Sequence, residues 1–536
     1  MEELIKAIDS TPIIDHHAHN LLTASNVGAH QMMAITSEAT GSALEHTPST
    51  LAHIRAVNGL AEVLEYIGEV FPMVSQDGQE KIIREALELC PSEKLTWSTD
   101  GHWFPETYLL AVDQVREGMR QVLCDTATPR MRMLPIKQAL KMFSAHKSIG
   151  ITKAVLGLLQ VDMAAPGFKA TGEYSLYPRL EGLRLGTRAN IAIVQCEFQE
   201  KETNDEVFIC PRTLLRRQVE KAASHGIEYL VGFEVEIVFM SRKKADGGFI
   251  YGDVPVNEGG HSWSNARALQ NDDLMDFFEK IFKKLENAGL ELQQFHPESS
   301  PGQYEFIFGP LPPLQAVDAL LAAREIIIIT AANAGMRATL IPKPKPETCG
   351  TGAHMHISMT PSKHWKSFYA GILKHLRAIS AFTYSNDASY ERVVDGVWAG
   401  STWVCWGTQN RETPLRSIDG PHFEIKCMDG LANPYLALAA ILGAGMQSVE
   451  DEEPLTMKDC LEDPASLSAE EREKFGIKEK FPKGIEEALD ALEADKGLCE
   501  ILGPAADVYA TVKRAENDML KEMEPDERRN WLIERY

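Results

Sequence analysis

The sequence predicts an α+β protein of more than one domain. Three observations predict it. The chain has 536 residues, more than one ordinary hydrophobic core organises. From Cys210 onward, Gly-closed helices alternate with strands and a hairpin rather than with a regular βαβ repeat. Several otherwise apolar strands carry polar pairs two residues apart, which a strand turns to one face. Composition is that of a globular chain, 44% hydrophobic and 24% charged, with 54 basic against 77 acidic residues for a formal charge of −23. Without a long Lys/Arg run, such a surface repels nucleic acid and anionic membranes. There is no 18-residue apolar stretch and no basic segment followed by an apolar one at the N-terminus, so a cytoplasmic protein is expected. Nine cysteines without a CxxC pair argue for reduced thiols rather than a disulfide framework or a structural zinc.

Taken in order, residues 1–22 read as a short helix and the strand IIDHHAH, 49–65 as a helix with Ser49 as N-cap, and the next segment as a helix and a strand ending at Asp100. A helix from about 107 leads into short strands and helices, among them ITKAVLGLLQVD and ANIAIVQCEF. CPRTLLRRQVEKAASHG is a helix closed by Gly226, followed by the long strand IEYLVGFEVEIVFM. NDDLMDFFEKIFKKLENAG is a second Gly-closed helix, followed by the hairpin LELQQFHPESSPGQYEFIF with Pro301–Gly302 at its turn. A helix (PLQAVDALLAAREIIIITAANAG) precedes the strands MRATLIP and GAHMHISM; HWKSFYAGILKHLRAISAF is helical, TWVCWGT and HFEIKCMD are strands, and NPYLALAAILGAGM is helical. Residues 450–536 are acidic and mostly helical.

His17 and His19 stand two apart on the opening strand, so both imidazoles can face one metal. The stretch PIIDHHAHN to TPSTLAHIRAVN resembles the opening of the amidohydrolase half of fungal FluG-type fusion proteins, and EKLTWSTDGHWFPE resembles that domain's last strand, with Asp100 as its metal ligand. A (β/α)₈ barrel needs about 250 residues, and only 80 separate His19 from Asp100. Residues 1–110 are therefore read as an incomplete, TIM-barrel-derived fragment, and His17, His19 and Asp100 as a vestigial metal set.

The central constellation is richer. Glu234 and Glu236 lie two apart in GFEVEIVF; alone, such a pair equally suits a solvated strand face. HPESSPGQYEF adds Glu298 and Glu305, GTGAHMHISM adds His354 and His356, and HFEIKCMDG adds Glu424 beside Lys426. Five carboxylates and a histidine facing one cavity require cations, and an oxygen-rich set with one imidazole suits Mg²⁺ or Mn²⁺. Arg392 in YERVVDG and Arg411 and Arg416 in NRETPLR offer planar forks for carboxylate and phosphate oxygens. Metals with arginines meet the physical requirements of phosphoryl transfer from ATP, and no GxxxxGK[ST] loop is present.

These ordered motifs, with GLANPYLALAAILGAG and the tail PKGIEEALDALEADKGLCEILG, resemble glutamine synthetase from about residue 115 to the C-terminus. The resemblance implies a β-grasp domain at 115–207 and a catalytic domain at 210–536, an open antiparallel barrel with helices. It implies one cation on Glu236, Glu298 and Glu305 and another on Glu234, His354 and Glu424. Arg392 would bind the substrate carboxylate, Arg411 the transferring phosphoryl group and Arg416 the nucleotide phosphates, with His356 over the nucleotide. Gly350, Lys426 and Trp398 would line the substrate side. The implied chemistry joins a small acid and an amine at the cost of ATP, in a ring-shaped homo-oligomer.

Four positions depart from the family pattern: Trp398 replaces a Glu that helps deprotonate ammonium, Lys426 an Arg at the substrate's reacting end, His422 an Arg near the nucleotide, and Cys349 an Asn near the amino-acid substrate. Asp162 in LQVDMAAPG falls where the family lends an acidic loop to a neighbouring subunit, within a differing surround. Intact metal ligands with altered substrate contacts favour a ligase that uses an organic amine. The alternatives are a regulatory protein retaining metal and nucleotide as structural ligands, and an amidohydrolase, against which the missing barrel argues.

Overall fold

The computed structural model describes residues 148–161, 163–187, 191–245, 248–253, 272–396 and 399–536. The fragment 1–110 with His17, His19 and Asp100 lies outside the described residues, as do Asp162 and Trp398.

The first described elements are β1 (Ile149–Thr152), β2 (Glu173–Pro178) and β3 (Cys196–Glu200), an antiparallel sheet in that order. Tyr174 of β2 packs with Val207 and Cys210 in a buried cluster. α1 (Pro211–Ser224) starts with Pro at its first turn, where the missing N–H costs nothing, and Gly226 follows it at φ +71°. Arg212, 2% exposed, ties α1 to β3 and to a later helix. Its Nη1 donates to Glu197 at 2.7 Å, while Nε and Nη2 hold Asp318 at 3.2 and 3.0 Å. A buried guanidinium is tolerable only when its donors are met by opposite charge, as here.

The spine of the molecule is β4 (Glu228–Ala245), 18 residues long. Around it are β5 (Gly248–Asp253), β6 (Leu292–Pro297), β7 (Gln303–Phe308), β8 (Met336–Thr339), β9 (Met355–Thr360), β10 (Trp406–Thr408), β11 (Leu415–Ser417) and β12 (His422–Ile425). Among the described residues these nine strands form one sheet in the order β10-β11-β12-β9-β4-β7-β6, with β5 and β8 also paired to β4. All the pairings are antiparallel except β10 with β11.

Helices cover the sheet's apolar face. α2 (Asp272–Asn287) is amphipathic; it turns Phe277, Phe278, Ile281 and Leu285 inward. Phe278 meets Tyr304 at 4.5 Å and Phe295 at 4.6 Å between ring centroids. Each such buried ring contributes about 2–3 kcal/mol, so the back of the β6–β7 hairpin is held firmly. α3 (Pro313–Asn333) carries Asp318, and α4 (Trp365–Thr383) packs along α5 (Pro434–Glu450). α5 is apolar on nearly every side and accordingly buried. Asn433 caps it, accepting from the N–H groups of Tyr435 and Leu436. The acidic tail forms α6 (Ala469–Phe475), α7 (Ile485–Ala494), α8 (Lys496–Leu502), α9 (Pro504–Lys521) and α10 (Pro525–Arg535).

Three details differ from the sequence reading. The strand expected over TWVCWGT is confined to Trp406–Thr408; Leu415–Ser417 and Gly248–Asp253 are additional strands; and GAHMHISM joins the sheet only at Met355. Leu415–Ser417 is too short to show a period and is held between β10 and β12. Among the described residues no helix is long and apolar enough to cross a membrane.

Candidate active site

Strand alternation sends Glu234 and Glu236 to one face of β4 while Phe233, Val235 and Ile237 enter the core at 3%, 0% and 0% exposure. The register then builds two transverse rows. On one side Glu236 faces Glu305 of β7, which faces His296 of β6. On the other, Gly232 faces His356 of β9, then Glu424 of β12 and Arg416 of β11. Glu234 stands between the rows. Glu298 follows β6, where its N–H donates to Gln303 O at 2.8 Å and closes the hairpin.

Short contacts knit the rows together. His354 Nδ1 lies 3.0 Å from Glu234 Oε2 and 3.2 Å from Glu424 Oε1, and His356 Nε2 lies 3.0 Å from Glu234 Oε1. Arg392 Nη2 donates to His354 Nε2 at 3.0 Å. Since arginine only donates, Nδ1 carries the His354 proton toward the carboxylates. Glu236 accepts from Gln303 Nε2 at 2.6 Å and from the Gly352 N–H at 2.8 Å. Glu424, 1% exposed, accepts from Arg416 Nη1 at 2.8 Å and Lys426 Nζ at 3.3 Å. His356 Nδ1 and His422 Nε2 are 3.1 Å apart.

The charge is unevenly compensated. Burial opposes ionisation of Glu234, but hydrogen bonds from His354 and His356 outweigh it and hold its carboxyl well below the usual range. Glu424 behaves likewise: burial opposes its charge, and His354 and Lys426 more than offset it. Glu305 is the reverse. Burial first, then Glu234, Glu236 and Glu298, push its carboxyl up to about 10. A carboxylate so crowded by its own kind calls for a cation the protein does not supply. Two groups bring donor atoms within 4.8 Å of one another, Glu234 with His356 and Glu424, and His296 with Glu298 and Glu305. This donor set fits Mg²⁺ or Mn²⁺.

The groups open on a cavity of about 1070 Å³. Of the residues singled out in the sequence, Glu234, Glu236, Glu298, Glu305, His354, His356, Gly350, Arg392, Arg411, Lys426, Cys349 and His422 line it. Arg416 and Glu424 are not among the lining residues. Arg416 is spent on Glu424 and on Gln409, to which its Nη2 donates at 3.1 Å. Arg392 is 5% exposed, and its Nη1 has no hydrogen-bond partner among the described residues. His296, Gln303 and Gly352 were missed in the sequence. For His296 the signal was available, since it stands two residues before Glu298, the spacing already noted at Glu234/Glu236 and His354/His356.

Residues 208–532 match the model of the glutamine synthetase catalytic domain. The chain belongs to the glutamine synthetase family. It is 38% identical over 549 residues to protein fluG of Emericella nidulans, an alignment covering 88% of this chain and 63% of that protein; the chain thus spans less than two thirds of that relative's length. It is 32% identical over 344 residues to the gamma-glutamylpolyamine synthetase GlnA3 of Streptomyces coelicolor, covering 59% of this chain and 71% of that one. A solved glutamine synthase homolog superimposes with a TM-score of 0.62 at 25% identity, over 76% of this chain and 97% of its own. A GmaS/ADP complex shares the fold, with a TM-score of 0.63 at 23% identity over 75% of this chain and 93% of its own. The chain is similar to this FluG protein along most of its own length.

Proposed function

We propose that this chain is an ATP- and divalent-metal-dependent carboxylate–amine ligase that forms an amide through an acyl phosphate, with an organic amine rather than ammonia as nucleophile. The observation that carries the reading is the convergence of two metal-donor groups with Arg392 and Arg411 on one cavity. Glu298 and Glu305, with Glu236 beside them, would hold one cation, and Glu234 and Glu424 the other, which His354 would join on releasing its Nδ1 proton. Bound cations neutralise phosphate oxygens and polarise the phosphoryl group.

The chain's own residues supply the rest. Arg392 lines the cavity, where a guanidinium suits a substrate carboxylate. A second substrate carboxylate oxygen attacks the γ-phosphorus of ATP and ADP departs, with Arg411 countering the charge on the transferring group. The amine nitrogen then attacks the acyl carbon, inorganic phosphate leaves, and the amine gives up one proton. Val394, 47% exposed, and Ala399 give the cavity an apolar flank, which suits an alkyl amine better than ammonium. Trp398, where the family resemblance places a base, agrees with that choice, and the name of the Streptomyces relative points to γ-glutamyl transfer onto a polyamine.

Small-molecule acid and amine, a cytoplasmic location and a ring-shaped homo-oligomer complete the reading. The 1–110 segment is read as a hydrolase remnant without its metal. The test is phosphate release from ATP in the presence of acid and amine: it requires all three substrates, and Arg411→Ala reduces it about 100-fold or more. Full turnover by Arg411→Ala contradicts the proposal. One observation favours a regulatory protein instead. Both oxygens of Glu424 are already engaged by Arg416, Lys426 and His354, and ATP binding without turnover across a broad amine panel would support that reading.

A further inference from the structure

The β6–β7 hairpin places a histidine in an otherwise carboxylate site. His296 of β6 is the direct cross-strand neighbour of Glu305, and Glu305 that of Glu236. Ligand atoms of His296, Glu298 and Glu305 all lie within 4.8 Å of one another. His296 Nε2 stands 3.8 Å from Glu305 Oε1, too far for a hydrogen bond and within the span of two ligands sharing one divalent ion at about 2.1 Å each.

The ring is also oriented for ligation. Its Nδ1 lies 3.3 Å from the carbonyl oxygen of Pro297 and 3.6 Å from Glu298 Oε1. An Nδ1–H donated to that backbone carbonyl leaves the Nε2 lone pair turned toward Glu305, the arrangement metal-ligating histidines commonly adopt. Glu305 is 6% exposed, and among the described residues His296 is its one ion-pairing neighbour within 4 Å. One ion shared by the imidazole and the two carboxylates would engage all three at these separations.

We propose that His296 is a ligand of the cation held by Glu298 and Glu305, converting a carboxylate site into a mixed nitrogen–oxygen site that takes a first-row transition ion such as Mn²⁺ in preference to Mg²⁺. The inference rests on the proposed metal-dependent reading of this cavity and narrows it. Mg²⁺ favours an all-oxygen shell, while imidazole strengthens binding of the later divalent ions.

The experiment is a Mn²⁺ titration of the metal-stripped full-length protein, followed by the EPR signal of free Mn²⁺, with and without competing Mg²⁺. His296 is half-buried at the cavity edge, so His296→Ala and His296→Asn should both fold, as near-UV circular dichroism will verify. Either variant should weaken one of two Mn²⁺ sites by about tenfold or more, leave the other unchanged and lower the Mn²⁺/Mg²⁺ preference. Mn²⁺ affinity and preference within twofold of wild type in both variants would overturn the inference. If the wild type still turns over ATP in that case, the ligase reading survives and only the role of His296 is lost. A wild type that binds no divalent ion overturns both.

Discussion

At Gly352 no side chain fits. A Cβ there would lie 2.6 Å from His354 Nε2, 2.8 Å from Arg392 Nη2 and 3.0 Å from Glu236 Oε1, and the Gly352 N–H itself holds Glu236 at 2.8 Å. Gly352→Ala should therefore push apart the three groups that define the site. Turnover should fall about 100-fold with little loss of thermal stability, as steady-state kinetics and a melting curve will measure. Asp429, fully buried behind this region, gives a pH test. Burial pushes it up to about 6, against the pull of Ser389, the Leu431 N–H, Arg392 and Arg324. The folded protein thus holds this proton more tightly than the unfolded chain, whose Asp titrates near 3.8. Its contribution is complete below pH about 4 and is lost as pH rises through about 6. Asp429→Asn should flatten the decline in stability between pH 4 and 7 by at most about 3 kcal/mol, read as the difference between urea midpoints of wild type and variant. The carboxylate and histidine positions were legible in the sequence because strands turn i and i+2 to one face. The role of Gly352 was not, because its constraint comes from three side chains that only the fold brings together.

The β6–β7 hairpin is the element on which the site depends. Its turn residue Gly302 has φ +77°, and a Cβ there would lie 2.4 Å from the backbone oxygen of Phe239. Gly302→Ala should cost about 3 kcal/mol by urea denaturation and should weaken metal binding, since Glu298 and Glu305 flank the turn. Pro301–Gly302 announced that turn in the sequence, and the Gly-closed helices and long apolar strands were equally plain. The loop carrying Arg411 was not. Its geometry is set from a distance: the N–H and hydroxyl of Thr408 both donate to Asp459 at 2.7 Å, and Asn410 Nδ2 reaches the carbonyl oxygens of Cys460 and Glu462 at 2.8 Å each. Contacts 50 residues apart leave no trace in local periodicity.

At the scale of the whole molecule, the proposed function puts the metal chemistry on the nine-stranded sheet, whereas His17 and His19 lie outside the described residues. The order of that sheet, in which β4 gathers partners from Gly248 to Thr360 and the remaining strands reach Ile425, could not be read from sequence spacing, and it is what turns scattered motifs into two transverse rows. Metal stoichiometry follows from the assignment. Wild type and the double variant His17→Ala/His19→Ala should each bind two Mn²⁺ per chain by equilibrium titration, whereas Glu236→Gln should lose at least one. The central claim, amide formation driven by ATP, is tested most directly by incubating the full-length protein with ATP, Mn²⁺, glutamate and a panel of amines, and measuring new amides by mass alongside released phosphate. One phosphate should be released per amide formed, with an alkyl amine or polyamine outpacing ammonia. Phosphate release without any amide, or ammonia as the best nucleophile, would contradict the claim.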